Sequence, residues 1–197
     1  MTKTLYTYLL TLVLFAACST SAEQAPKGEM PKGSNVNPDA GLVADFKQKV
    51  DDYVKLRDGA APPMKENSTP AEISAAEQTI AQNVKARRAN AKRGDFFTPA
   101  TQAMFLRMLH PAVKGEDGAE NKRIIKDDAP EPKEIPFQVN ASYPKDLPLS
   151  TVAPDVLQAL PALPKDKHVE YRFTGKHLLL YDATANLIID FMLNALP

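Results

Sequence analysis

Apolar positions recur at helical spacing through residues 42–57 (LVADFKQKVDDYVKLR), where Leu42, Phe46, Val50, Tyr53 and Val54 fall on one stripe. Gly59 and Pro62-Pro63 end this first predicted helix. STPAE then opens a second: Thr69 caps, Pro70 suits the first helical position and Glu72 completes a capping box. Its inner face carries Ile73, Ala76, Ile80, Val84 and Ala91, with Gly94 as the stop. Thr98-Pro99 starts a third, with Met104, Phe105, Met108 and Leu109 inward and Pro111 and Gly115 closing it. The polar stretch EDGAENKRIIKDDAPEPKE that follows reads as a connection, with one or two helical turns at 119–126.

Beyond residue 165 the period shortens to two. A hairpin loop at Thr174-Gly175 sets Phe173 opposite Lys176, Tyr171 opposite Leu178 and Val169 opposite Leu180. Val169, Tyr171, Phe173, Leu178 and Leu180 then share one face, while Glu170, Arg172, His177, Leu179 and Tyr181 take the other. After DATAN a third strand, LIIDF, returns with Ile189 opposite Leu180 and Phe191 opposite Leu178. The proline-bounded TVAPDVLQALPALP offers Val156, Leu157, Leu160 and Leu163 as a short covering helix. The fold class is therefore α+β: about three N-terminal helices, a short helix and a small C-terminal antiparallel β-meander.

Composition sharpens these boundaries. Seventeen prolines are present, yet none falls in 71–98 or 165–196, where continuous regular structure is expected. Residues 19–40 are small, polar and aperiodic, as in a flexible tether. The organisation expected is 1–17 signal peptide, 18–40 tether, 41–113 helical region, 114–135 linker and 136–197 a small α+β region.

The N-terminal signal comes from Lys3, an apolar run over 5–17 and the small pair Ala16-Ala17. Its 13 residues rise about 20 Å as a helix, short of a bilayer core of about 30 Å. Cys18, the sole cysteine, has no disulfide partner within the chain. Leu14-Phe15-Ala16-Ala17-Cys18 resembles a bacterial lipobox, with Phe15 where Leu, Val or Ile is usual. That resemblance implies acylation of Cys18 and a membrane partner through the lipid anchor; plain cleavage near Ala17 or Ala22 is the alternative. Ser19, rather than Asp, follows the cysteine and favours the outer membrane by the enteric sorting pattern.

Charge narrows the partners. Basic and acidic residues number 24 each, and losing Lys3 with the signal leaves a mature charge of −1. No field attracts nucleic acid, so none is expected as a partner. KARRANAKR, the densest basic run, reads as a solvated helix face with Arg87 snorkelling, or as a contact for anionic headgroups or an acidic partner.

Chemical motifs are sparse. His110, His168 and His177 match no metal-ligand spacing and read as surface residues; no metal or other cofactor is expected. KDDAPEPKE lacks the calcium-loop pattern, no G-x-S-x-G or phosphate loop occurs, and the only thiol belongs to the lipobox. NST at 67–69 and NAS at 140–142 match the N-glycosylation pattern by coincidence. Six polar residues are candidates for binding or structural roles. Asp95 is expected to brace the turn after Gly94 and to pair with Arg88; Asp182, Asn186 and Asp190 to hold turns and rims; Arg172 lies on the polar strand face.

RANAKRGDFFTP, QVNASYP, LPALP, EYRFTG and YDATANLIID resemble, across about 42–197, a family of secreted or envelope proteins from environmental bacteria. Arg88, Ala91, Gly94, Asp95, Phe97, Thr98, Pro99, Asn140, Tyr143, Pro144, Tyr171, Arg172, Phe173, Asp182, Asn186 and Asp190 carry the similarity. The last 60 or so residues also resemble small periplasmic modules, some of them in proteins of nickel and cobalt homeostasis. Neither resemblance implies catalytic residues. The reading is a non-enzymatic envelope lipoprotein presenting a binding surface to a protein or envelope partner, with a periplasmic sensor or metal-homeostasis accessory as the alternative.

Overall fold

In a computed structural model the described residues are 37, 39–63, 67–128, 137–144, 148, 150, 152–165 and 167–197. The signal, Cys18, most of the tether, and Glu131 and Glu134 of the connecting stretch lie outside them. Among the described residues five helices precede three strands, giving the α+β class: α1 Ala40–Asp58, α2 Pro70–Arg87, α3 Pro99–Lys114, α4 Gly118–Asp128, α5 Pro154–Ala159, β1 Val169–Thr174, β2 His177–Asp182 and β3 Leu187–Met192. The sheet is antiparallel in the order β1-β2-β3.

The helices form largely for the reasons the pattern gives. The α1 stripe buries Phe46, Val50, Tyr53 and Val54. At the start of α2 the Thr69 hydroxyl accepts the Glu72 N–H while the Glu72 carboxylate accepts the Thr69 N–H, a closed capping box. The Thr98 side chain accepts the Thr101 N–H and starts α3.

Three local expectations change. Ile73 is exposed, since α2 turns only Ala76, Ile80 and Val84 inward and ends at Arg87, seven residues before Gly94. Pro111 lies inside α3, which continues to Lys114. The expected linker at 114–135 contains α4, whose Ile125 is fully buried. Asn121 of α4 donates its side-chain amide at 2.8 Å to the Ala112 carbonyl, one of those that the end of α3 would otherwise orphan.

One core joins the helices to the sheet. Phe46, Phe97, Phe105 and Tyr171 meet in it, with Phe105 edge-on to Phe46 at 5.1 Å, to Phe97 at 5.2 Å and to Tyr171 at 5.9 Å between ring centroids. Val156 and Leu160 of α5 and its flank reach the same core, whereas Leu157 stays half exposed.

The hairpin register differs from expectation by two residues. Gly175-Lys176 is the loop and Thr174 faces His177, so Tyr171 pairs with Leu180 and Phe173 with Leu178. Gly175 takes φ 54° at the first loop position, where a glycine-led two-residue turn needs a positive value. An even shift preserves the faces, so the inward set is unchanged.

At β3 the difference matters more. The register slips between Leu180 and Tyr181: Leu180 faces Asp190, while Tyr181 faces Ile188. This bulge puts Asp190 on the inner face and sends Phe191 to the outer one. The outer face is not left to water. Residues 137–144 cross it, Phe137 and Tyr143 packing on Leu179, Tyr181, Ile188 and Phe191. They also extend the ladder, with Asn140 N–H to the Ile188 carbonyl at 2.9 Å and Ile188 N–H to the Ala141 carbonyl at 3.0 Å. His177, expected at the surface, is consequently buried and accepts the Asn194 N–H on Nδ1 at 3.1 Å.

The capping box makes a pH prediction. The bond from the Thr69 backbone, then that from its hydroxyl, lowers the Glu72 pKa. The support is therefore complete above the ordinary glutamate pKa and fades as pH falls through the lowered value. Hydrogen exchange at the first turn of α2 should quicken on acidification in that window. Glu72→Gln, which keeps an acceptor but cannot titrate, should remove that dependence.

Candidate functional site

Three of the six candidate polar residues, Asp190, Asp182 and Arg88, each tie helices to the sheet in a knot of hydrogen bonds. Asp190, expected at a rim, is fully buried. Its Oδ2 accepts the N–H groups of Phe96 and Phe97, each at 2.9 Å, and its Oδ1 those of Gly94 at 3.0 Å and Phe191 at 2.8 Å. The turn between α2 and α3 thus forms a concave nest of amides around one carboxylate. Gly94 sits at φ 92°, a region that favours glycine, and so serves this nest rather than the end of α2.

Asp182 is the second knot and is also fully buried. Its Oδ2 accepts the Tyr53 hydroxyl at 2.7 Å. Its Oδ1 accepts Arg57 Nη1 at 3.3 Å and the N–H groups of Thr184 and Ala185 in its own turn. Arg57 also donates to Asp58 and, at 2.6 Å, to the Lys167 carbonyl. Burial works against its charge, but the bonds to Asp58 and the charge of Asp182 outweigh it and raise the Arg57 pKa. Burial first, then Asp182, drives the Tyr53 phenol far upward, so it stays a neutral donor.

Arg88 makes the third knot. Its expected ion pair with Asp95 is replaced by bonds to the Asn140 side chain at 2.8 Å and the Ile189 carbonyl at 3.2 Å, and Asn140 returns an amide to the Arg88 carbonyl at 2.6 Å. The guanidinium lies over the rings of Tyr53 and Phe96 at 5.1 and 5.6 Å. Asp95 instead accepts the Lys92 N–H at 2.9 Å and braces its turn. Asn140, which the candidate set lacked, takes φ 62°; its place in an N-A-S triplet gave no sign of this pairing.

The basic run is thereby largely committed. Arg87 reaches the Leu56 and Gly59 carbonyls at the end of α1, at 3.2 and 3.0 Å, and Arg93 covers the Phe191 ring at 5.2 Å. Asn186 is exposed at φ 47° and accepts the Tyr181 hydroxyl at 2.9 Å. Among the described residues, no three His, Cys, Asp or Glu are placed to hold a metal ion, and no helix is long and apolar enough to cross a membrane.

Arg172 stands apart from the knots. It lies beside an open groove of about 590 Å³ between β1 and the α5 segment, walled by Leu157, Leu160, Leu163, Val169 and Tyr171. The Tyr171 hydroxyl donates to the Pro161 carbonyl at 2.9 Å and fixes one wall; burial raises its pKa and keeps it protonated. Arg172 Nη2 donates to the Glu170 carboxylate, while its buried Nε has no acceptor. Sequence reasoning placed Arg172 on the correct strand face but had no signal for the groove, whose two walls lie on separate elements.

Compared with known proteins, the chain matches no family model, no curated protein and no solved structure. The groove is the candidate functional site on geometry alone.

The knots predict graded losses of stability. Asp190→Ala strands several buried amides and should cost about 4 kcal/mol or more, Asp190→Asn about half of that, read from urea midpoints. Arg57→Met should cost about 3 kcal/mol by leaving Asp182 without its counter-charge, and Tyr53→Phe about 1–2 kcal/mol, read from thermal unfolding.

Proposed function

We propose that the chain is an exported bacterial lipoprotein of the cell envelope, held through acylated Cys18, whose folded body presents a non-catalytic binding surface to an envelope protein. The observation that carries the binding reading is the β1–α5 groove: an open, largely apolar trough between the end strand of the sheet and the α5 segment. Support also comes from the economy of buried charge, since Asp182, Asp190, Arg57 and Arg88 all hold elements together. The lipid part rests on Cys18 following the apolar run at 5–17, and the outer-membrane address on Ser19. Two or three acyl chains would hold such a body durably where a single chain binds marginally.

Phase separation in detergent tests the anchor. The native chain should enter the detergent phase and Cys18→Ser the aqueous phase; an unmodified thiol in protein from its own host would overturn the lipid. A photo-crosslinker replacing half-exposed Leu157 should capture a reproducible envelope partner. Stoichiometric sub-micromolar binding of nickel or cobalt would replace the binding-surface reading with metal handling.

A further inference from the structure

We infer that the groove between β1 and the α5 segment is an acyl-chain site, which takes one hydrocarbon chain borne by a lipid-modified envelope protein. The inference deepens the binding-surface reading and rests on it for the protein that carries the chain; the hydrocarbon follows from the groove alone.

The walls offer an occupant few hydrogen-bonding groups. Along β1, Ser150 Oγ accepts the Phe173 N–H at 3.1 Å and donates to its carbonyl at 2.5 Å, while Val169 and Tyr171 are buried. The Tyr171 hydroxyl is committed to the Pro161 carbonyl at 2.9 Å. On the facing wall the Leu160 N–H donates to the Leu157 carbonyl at 3.2 Å, and Pro161 has no N–H to give. Arg172 Nε is sealed from solvent. An extended peptide laid here would leave its own N–H and C=O groups without partners, whereas a hydrocarbon chain has none to lose.

What the groove does present is aliphatic. Leu157, Leu160, Ala162 and Leu163 line it, and Leu157 stands 49 % exposed. Its volume of about 590 Å³ falls among those of single small-ligand sites, about 300–1,000 Å³. Charge then selects the end of the chain. The two ionic side chains in the lining, Glu170 and Arg172, pair with each other and are each about a third exposed. They cancel, so the complementary end group is uncharged. A free fatty acid would bring a carboxylate to a guanidinium that Glu170 already holds. A neutral amide or ester link, as on a lipid-modified protein, brings no charge to be neutralised.

Fluorescence anisotropy of a labelled hexapeptide, N-acylated with octanoyl, decanoyl or dodecanoyl chains, tests this on the full chain carrying Cys18→Ser, which has no acyl chain of its own. Each added methylene should tighten binding about fourfold until the groove is full. The unacylated peptide should not bind. Leu157→Glu, at an exposed position and so with an unchanged urea midpoint, should weaken the dodecanoyl peptide on the order of tenfold. Glu170→Gln unpairs the Arg172 charge, so dodecanoate should gain about fivefold while the dodecanoyl peptide is unmoved.

Equal binding of acylated and unacylated peptides, or affinity indifferent to chain length, overturns the proposal. Binding of lysophosphatidylethanolamine with none of the acylated peptide would assign the groove to a free lipid, and a Leu157→Glu-sensitive dimer without peptide would assign it to a second copy; either overturns it. An unlipidated envelope protein captured by the crosslinker in place of Leu157 removes the acyl chain and leaves the binding-surface reading standing. Chain-length-dependent binding with no protein captured there keeps the acyl site and removes the protein partner.

Discussion

A carboxylate sealed from water must be ringed by donors, and that requirement at Asp190 organises much of this molecule. The bulge in β3 turns Asp190 inward, and the turn at 94–97 curls its amides around it. Because that turn lies between α2 and α3, its position sets where both helices meet the sheet. Phe97, fixed in the same turn, drops into the aromatic cluster with Phe46 and Phe105. Polar satisfaction and apolar packing are thus settled by one local geometry.

The other two knots repeat the logic at different heights. Asp182 ties the β2 end to α1 through Tyr53 and Arg57, and Arg88 ties the end of α2 to β3 and to the segment crossing the outer face. Residues separated by about 50 to 130 positions meet in these contacts, so each acts as a long-range staple of a small sheet. Three strands alone would be marginal. Covered on both faces and stapled at several points, the sheet becomes the rigid floor beside which the groove opens.

That rigidity bears on recognition. A groove wall held in place by its neighbours needs little further ordering when a partner binds. Ser150 holds both outward backbone groups of Phe173, and Val169 and Tyr171 on the same edge are buried.

By itself the sequence determined the helices, the capping box and the inward faces of β1 and β2, because each follows from periodicity and cap chemistry within a few residues. It also carried the N-terminal pattern at Cys18, which is a matter of order alone. Only the tertiary structure decided the burial of His177, the docking of α4 through Ile125, the bulge that inverts Phe191 and Asp190, and the partners of Arg88, since none is a local property. A polar residue near a turn reads as solvated until another element covers it. Asp190 acquired its donors from a loop 93–96 residues away, and the groove acquired its second wall from α5, for the same physical reason: burial and pairing belong to elements that meet only once the chain has folded.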